Sequence, residues 1–254
     1  MVMNPLKDES IDKRSPVPMY YQIMRQLLEK INGGEFAVDS ALPPERELAQ
    51  TYKVSRMTVR QAIAELVNEG ILVRRKGIGT FVAPPKLEQA LSRLTSFTED
   101  MTQRGMKAGA QVISFEEIVP EPSIRKTLGL GTEDKAFECV RVRLADEEPM
   151  ALETTTLPVS LCPGLSRQDL EDRSLYHLLI ERWGIRLDNA MQSIEPACAS
   201  SYEASLLHIV PGTPLLLIHR ITYNQDGRAV EHVKSLYRGD RYKFSIELRR
   251  KSAL

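Results

Sequence analysis

Between Pro43 and Val82 the chain compresses two short helices and a basic hairpin into one uninterrupted stretch, and few folds accept that pattern. Leu42-Pro43-Pro44-Glu45-Arg46-Glu47-Leu48-Ala49-Gln50-Thr51-Tyr52 reads as a short helix. Proline fits its first turn, where a missing N–H costs nothing, and Glu45 and Glu47 sit near the positive end of the dipole. Lys53-Val54 turns the chain, and Ser55 is placed to cap a second helix. There Val59, Ala62, Ile63, Leu66 and Val67 recur at i, i+3, i+4, i+7 and i+8, the stripe of a helix with one buried face. Gly70 ends it, and residues 71–82 read as two short strands around a glycine-containing turn. Upstream, Tyr20, Ile23, Met24, Leu27, Leu28 and Ile31 keep helical spacing between Pro16/Pro18 and Gly33-Gly34. Helix, tight turn, second helix and basic hairpin together make a winged helix-turn-helix.

The side chains this arrangement exposes suit a nucleic-acid duplex. Arg56, Thr58, Arg60 and Gln61 project from the first turns of the second helix. Arginine matches the O6/N7 pair of guanine, glutamine the adenine edge, and a threonine methyl the thymine methyl. In the wing, Arg74, Arg75 and Lys76 can neutralise phosphate, while Gly77 and Gly79 allow close backbone approach. The Gly-x-Gly is no dinucleotide fingerprint, since it lies between strands, lacks a third glycine and opens no helix. Over 254 residues, 34 basic and 34 acidic side chains cancel and point to no partner. Locally they do not cancel: residues 53–86 carry seven basic and two acidic side chains, an electrostatic footprint.

Several classes are excluded. No apolar run approaches the roughly 18 residues of a membrane span, and the N-terminus lacks the apolar core of a secretory signal. Cys139, Cys162 and Cys198 are odd in number and widely spaced. That argues against a disulfide framework or a metal knuckle and suits a reducing cytoplasm. The histidines at 177, 208, 219 and 232 lack metal-ligand spacing, so no metal and no cofactor are expected.

Ala83-Pro84-Pro85-Lys86 favours extended, semi-stiff backbone. The expected organisation is a disordered segment 1–15, a winged helix-turn-helix over 16–83, a linker over 84–92 and a second domain over 93–250. Strand-like runs fall at 111–119, 137–144, 150–157, 190–197, 214–222 and 229–237. Helical patterns fall at 97–104, 123–128, 175–182 and 201–207. This is an α+β pattern, with one mostly antiparallel sheet and helices against it. The segments 141–153 and 219–231 echo one another as strand, acidic turn and strand, each ending on a glutamate (Glu153 and Glu231), which suggests two hairpins in equivalent roles. Period-two alternation puts Arg141 and Arg143 on one face, where they repel unless an anion lies between them. That anion is either a carboxylate of the chain or a bound phosphate. A two-residue loop at Glu147-Glu148 would pair Arg143 with Leu152 and turn Glu153 away from both arginines. A three-residue loop would pair Arg143 with Glu153.

Two stretches of resemblance sharpen this. PPERELAQTYKVSRMTVRQAIAELVNEGILVRRKGIGTFV, residues 43–82, resembles the winged helix-turn-helix of the GntR family of bacterial transcription regulators nearly end to end. The resemblance implies that Arg46, Arg56, Thr58 and Arg60 contact DNA, supported by Gln61, Gly77 and Thr80, beside the wing residues Arg75, Lys76 and Gly79. LTSFTEDM (94–101), RVRLAD (141–146), EPMALETT (148–155), SLY (174–176) and EHVKSLYRGDRYKF (231–244) resemble the UTRA effector domain of the HutC branch, which is similar in fold to chorismate lyase. The resemblance is nearest to amino-sugar regulators of the NagR and DasR type, which answer to glucosamine 6-phosphate or N-acetylglucosamine 6-phosphate. It implies that Arg141, Arg143, Ser174 and Tyr176 hold the phosphate together with the backbone at Ser96, Phe97 and Thr98, where a helix N-terminus favours an anion. Glu153, Glu231 and Tyr237 would take the sugar hydroxyls, while Arg238, Asp240 and Arg241 read as a structural charge network.

The expectation is therefore a cytoplasmic, ligand-responsive repressor of amino-sugar utilisation genes. It would bind a palindromic operator as a homodimer and have no membrane partner. One alternative is a sister regulator answering to another phosphorylated or anionic metabolite. Another is a sugar-phosphate enzyme using the Glu153/Glu231 pair, disfavoured because no nucleophile motif accompanies it and the DNA-binding module would be idle.

Overall fold

The computed structural model describes residues 11–75, 77–171 and 173–248. The chain divides into two compact units at Lys86/Leu87. Among the described residues no helix is long and apolar enough to cross a membrane.

The first unit contains α1 (Met19–Asn32), α2 (Glu45–Thr51), α3 (Arg56–Asn68) and the antiparallel pair β1 (Leu72–Arg75) and β2 (Gly79–Val82). The apolar stripes converge as their spacing requires: Ile23, Met24 and Leu27 of α1 meet Leu48 and Ala49 of α2 and Val59, Ala62, Ile63 and Leu66 of α3. Ser55 caps α3, its Oγ accepting the Thr58 N–H at 3.1 Å. Residues 11–15 depart from the expected disorder. Ile11 is buried in this core, and Gln22 brackets Asp12, its Oε1 accepting the Asp12 N–H and its Nε2 donating to the Asp12 carbonyl. Residues 1–10 lie outside the described residues.

The second unit opens with β3 (Leu87–Ala90), followed by α4 (Phe97–Gln103), β4 (Ala108–Ile118), α5 (Pro122–Leu128), β5 (Ala136–Ala145) and β6 (Glu148–Pro158). Then come α6 (Arg167–Leu170), α7 (Leu175–Trp183), β7 (Leu187–Cys198), α8 (Ser201–Leu207), β8 (Pro214–Asn224), β9 (Ala229–Arg238) and β10 (Tyr242–Ser245). Six strands form one antiparallel sheet in the order β4-β5-β6-β9-β8-β7. Each half is strand, helix and hairpin, and the strand order reverses about the β6–β9 seam, which is the equivalence that the hairpin echo suggested. One face carries the clusters built around α7 and α4. The other carries Val142, Leu152, Leu215 and Leu236 against Ala204 and Leu207 of α8.

The expected linker 84–92 is shorter than its composition suggests. Residues 87–90 pair in parallel with β10, the Leu87 N–H donating to the Arg241 carbonyl at 2.8 Å and the Leu91 N–H to the Ser245 carbonyl at 2.8 Å. Leu-Glu-Gln-Ala has neither strand propensity nor alternation, so only its distant partner makes it a strand.

The first hairpin adopts neither register considered from sequence. Its two-residue loop is Asp146-Glu147, both with positive φ (48° and 69°), the backbone of a type I′ turn. Lys107 props that turn, its N–H donating to Asp146 Oδ1 at 2.8 Å and its carbonyl accepting the Asp146 N–H at 2.9 Å. The register then shifts by one residue between Arg143 and Leu144, so that Arg141 lies opposite Glu153 and Arg143 opposite Ala151. Without this bulge Glu153 would point to the other face of the sheet.

Candidate functional site

In the first unit α3 presents its N-terminal turn to solvent. Arg56 and Gln61 are exposed, as is Arg46 on α2. Arg60 is held by Glu45, its Nε donating to Oε2 at 3.1 Å, and Arg74 approaches the same carboxylate at 3.7 Å. In the wing, Arg75 donates to Asp39 Oδ1 at 2.7 Å and stacks over Phe81, 4.3 Å from the ring centroid. These exposed ion pairs contribute little stability, so their arginines can exchange a carboxylate for a phosphate. Gly77 (φ +76°) and Gly79 (φ +151°) take conformations that L side chains rarely adopt, and both are exposed. Thr80 is half-buried, its carbonyl accepting the Leu42 N–H. Thr58 is also half-buried, with its hydroxyl 2.8 Å from Ser55 Oγ, so the capping arrangement occupies it. Lys76 lies outside the described residues.

In the second unit the bulged hairpin, the β8–β9 hairpin and the starts of α4 and α7 surround a pocket of about 570 Å³ counted out to its mouth. All ten residues expected at an effector site line it: Ser96, Phe97, Thr98, Arg141, Arg143, Glu153, Ser174, Tyr176, Glu231 and Tyr237. Glu153 and Glu231, the glutamates ending the two echoed segments, come to the same pocket from the adjacent strands β6 and β9.

Arg141 and Arg143 are each 3% exposed. Arg141 donates from Nη2 to Glu153 Oε1 at 2.5 Å, while Arg143 donates to Thr98 Oγ1 at 3.0 Å and lies 4.8 Å from the Phe97 ring centroid. That leaves Arg141 Nε and Nη1 and Arg143 Nε buried without a hydrogen-bond partner. Burial, and then the charge of Arg141, pull the Arg143 guanidinium down to about 10. Burial would raise Glu153, but Arg141 and Arg143 outweigh it and hold the carboxyl below its ordinary range. The carboxylate that the sequence offered as the anion is Glu153, on Arg141. Glu153 satisfies one side of Arg141, and donors remain for a second anion.

The other wall is a compact acid network. Glu231, 1% exposed, accepts from Tyr176 Oη and from Thr222 Oγ1, each at 2.7 Å. Burial pushes its carboxyl up, against the pull of those two bonds. Tyr176, expected to hold a phosphate together with the arginines, directs its hydroxyl to Glu231 and Thr222. Burial also raises the Tyr237 hydroxyl, to about 12. Ser96 and Ser174 meet with their hydroxyls 3.4 Å apart. The Ser96 N–H is already donated to Glu99 Oε2 in a capping box, leaving those of Phe97 and Thr98 as the orphan donors of α4.

Arg220, Thr155, Ser235, Thr95 and Gln89 also line the pocket, and sequence reading did not single them out. Arg220 donates to Gln192 Oε1 at 2.8 Å and to the Thr95 carbonyl at 3.3 Å. Burial lowers it, but Tyr176, Tyr237 and Glu231 around it leave it above its ordinary range. A charge at the same parity as Thr222 within an apolar strand was the available signal. Gln89 had none, because β3 exists only through its pairing with β10. The YRGDRY turn is the charge network expected of it: Arg238 donates to Asp240 Oδ2 at 2.7 Å and to Glu148 Oε1 at 3.0 Å, and Arg241 to Glu148 Oε2 at 2.6 Å.

Comparison with known proteins agrees with both halves. The model for bacterial regulatory proteins of the gntR family matches residues 19–82, and that for the UTRA domain matches residues 103–243. The HTH-type transcriptional repressor NagR of Bacillus subtilis is 48% identical over 236 residues, covering 92% of this chain and 96% of that protein. The mannosyl-D-glycerate transport/metabolism system repressor MngR of Escherichia coli is 34% identical, covering 93% of this chain and 98% of its own. Among solved structures, PhnF of Mycobacterium smegmatis superimposes with a TM-score of 0.63 at 34% identity, covering 90% of this chain and all of that one. These relatives are transcription regulators, which removes the sugar-phosphate enzyme from consideration. The chain belongs to the GntR family of bacterial regulatory proteins, with a UTRA domain behind its helix-turn-helix, and is a DNA-binding transcription regulator, not an enzyme.

Proposed function

We propose that the chain is a cytoplasmic repressor of amino-sugar utilisation genes, released from its operator by glucosamine 6-phosphate or N-acetylglucosamine 6-phosphate. The observation that carries this reading is the pair Arg141 and Arg143, buried side by side with three guanidinium nitrogens unpartnered. Two like charges held out of water in this way are what a dianionic phosphate satisfies, through charge-assisted, bidentate hydrogen bonds. The hydroxyls of Ser96, Thr98 and Ser174 and the orphan N–H groups of Phe97 and Thr98 surround the same end. Glu153, Glu231, Tyr176 and Tyr237 offer the polar body that a sugar ring requires, and Arg220 adds a third cation. The 48% identity to NagR supports an amino sugar over other phosphorylated metabolites.

The DNA end follows from the winged helix. Arg56, Arg60 and Gln61 read base edges, Arg46, Arg75 and Lys76 meet phosphates, and Gly77, Gly79 and Thr80 bring the wing backbone close. Thr58 bonds the Ser55 cap beside them. One such unit grips a half-site weakly, so the operator is an inverted repeat read by a homodimer joined through the effector units. The sugar phosphate loosens that complex only to the extent that it binds the non-operator arrangement more tightly.

Isothermal titration with N-acetylglucosamine 6-phosphate, glucosamine 6-phosphate and unphosphorylated N-acetylglucosamine tests the effector. Saturable binding of a phosphorylated sugar, with little from the free sugar, is expected. No binding by any of the three would transfer the pocket to another anion and leave the DNA-binding half untouched.

A further inference from the structure

The outward face of the recognition helix has an apolar centre. In α3 the buried residues Val59, Ala62, Ile63 and Leu66 define the inward direction. At about 100° per residue, Met57 projects about 170° from their mean direction, opposite the core. Gln61 and Arg60 flank it, whereas Arg56 and Thr58 lie to the sides. Met57 is 65% exposed, whereas its neighbour Thr58 is half-buried and lies to the side. A large, mostly exposed thioether side chain thus stands at the middle of the outward face of α3, with Arg60 and Gln61 on either side.

We propose that Met57 is a specificity-determining residue, seated on the 5-methyl group of a thymine in the major groove; this rests on the recognition-helix reading above. The edges displayed in the major groove are donors and acceptors, with one apolar exception, the thymine methyl. An unbranched, polarizable thioether adapts to such a contact. The polar reach of Arg60 and Gln61 then falls on base pairs to either side, so the half-site carries a thymine within the footprint of the first turn of α3.

The test needs no prior operator. The full chain selects duplexes from a randomised pool, and the most enriched duplex is remade with each thymine replaced singly by deoxyuridine, which deletes only the methyl. Binding is followed by fluorescence anisotropy for the wild type and Met57→Ala. In each half-site one replacement is expected to weaken the wild type about fourfold, the effect of one buried methyl, and to leave Met57→Ala unchanged. Met57→Leu should keep the sensitivity. The proposal is overturned if deoxyuridine costs both proteins equally, if no replacement affects the wild type, or if the enriched half-site has no thymine. A wild-type chain that enriches no sequence overturns the recognition-helix reading itself, and this inference with it. Because Met57 is exposed, Met57→Ala should melt with the wild type.

Discussion

Arg143→Met separates what the pocket does for stability from what it does for binding. Arg143 is buried beside Arg141, with Thr98 Oγ1 and the Phe97 ring as its neighbours in hydrogen bonding and stacking. Its guanidinium falls from the ordinary range to about 10, which corresponds to a cost of about 3 kcal/mol for carrying the charge in the folded state. The sign is adverse at every working pH: a base whose folded value lies below its unfolded one opposes folding wherever it is protonated. Methionine, of similar length and no charge, removes that cost. It also forfeits a cation–π contact of about 1 kcal/mol and a hydrogen bond of about 1 kcal/mol. The net is a gain of about 1 kcal/mol, or about 2–4 °C in melting temperature for a unit of this size. Trp183 is the only tryptophan of the chain and lies in the effector unit, so its fluorescence follows that unit even where the two units unfold separately. In phosphate-free buffer the variant should melt slightly above the wild type. With N-acetylglucosamine 6-phosphate at a hundredfold its dissociation constant, the wild type should gain about 2.7 kcal/mol and the variant almost nothing. A variant several degrees less stable without ligand would show that the charge is already satisfied in the empty pocket, and an undiminished ligand shift would show that Arg143 does not hold the phosphate.

Other expectations follow from the same geometry. Arg56→Ala should abolish sequence-specific binding in anisotropy titrations while leaving calorimetric sugar-phosphate binding unchanged; loss of both would mean that the two units are not functionally separate. Glu231 is raised by burial against its hydrogen bonds, so its contribution to stability is full below the carboxylate range and is lost as pH rises through its folded value. Urea midpoints of the effector unit should therefore fall less between mildly acidic and neutral pH in Glu231→Gln than in the wild type, and parallel profiles would refute this. Arg238→Ala strips a buried cation from Asp240, Glu148 and the Pro149 carbonyl. It should cost about 3 kcal/mol in urea unfolding without altering the selectivity for phosphorylated over free sugar.

The local layers were legible because they are local. Helical stripes at 20–31 and 59–67, the Ser55 cap and the glycines of the wing depend on residues within a turn or two of one another. The winged helix could therefore be assembled from spacing, and the six sheet strands from their apolar runs. The pocket residues were legible for a different reason, since resemblance to the UTRA domain supplied Arg141, Arg143, Ser174 and Tyr176 where spacing alone left the anion between the arginines open. The edges were less legible. Residues 1–15 fall outside the family resemblance and were expected to be disordered, yet Ile11 reaches the core, and a proline pair suggested a linker up to residue 92 where β3 finds β10.

Spacing and residue type alone carry the two-part organisation, the α+β pattern and the clustered arginines of both units. How those residues face one another is settled only on folding. One bulge beside Arg143 turns Glu153 toward Arg141, because side chains alternate with a period of two and a single extra residue exchanges the faces. Tyr176 and Glu231 stand 55 positions apart and meet at 2.7 Å, and Arg220 enters the pocket through a strand whose run marked it as core. Contacts of that range arise from strand pairing across the whole sheet, and no periodicity within a segment encodes them.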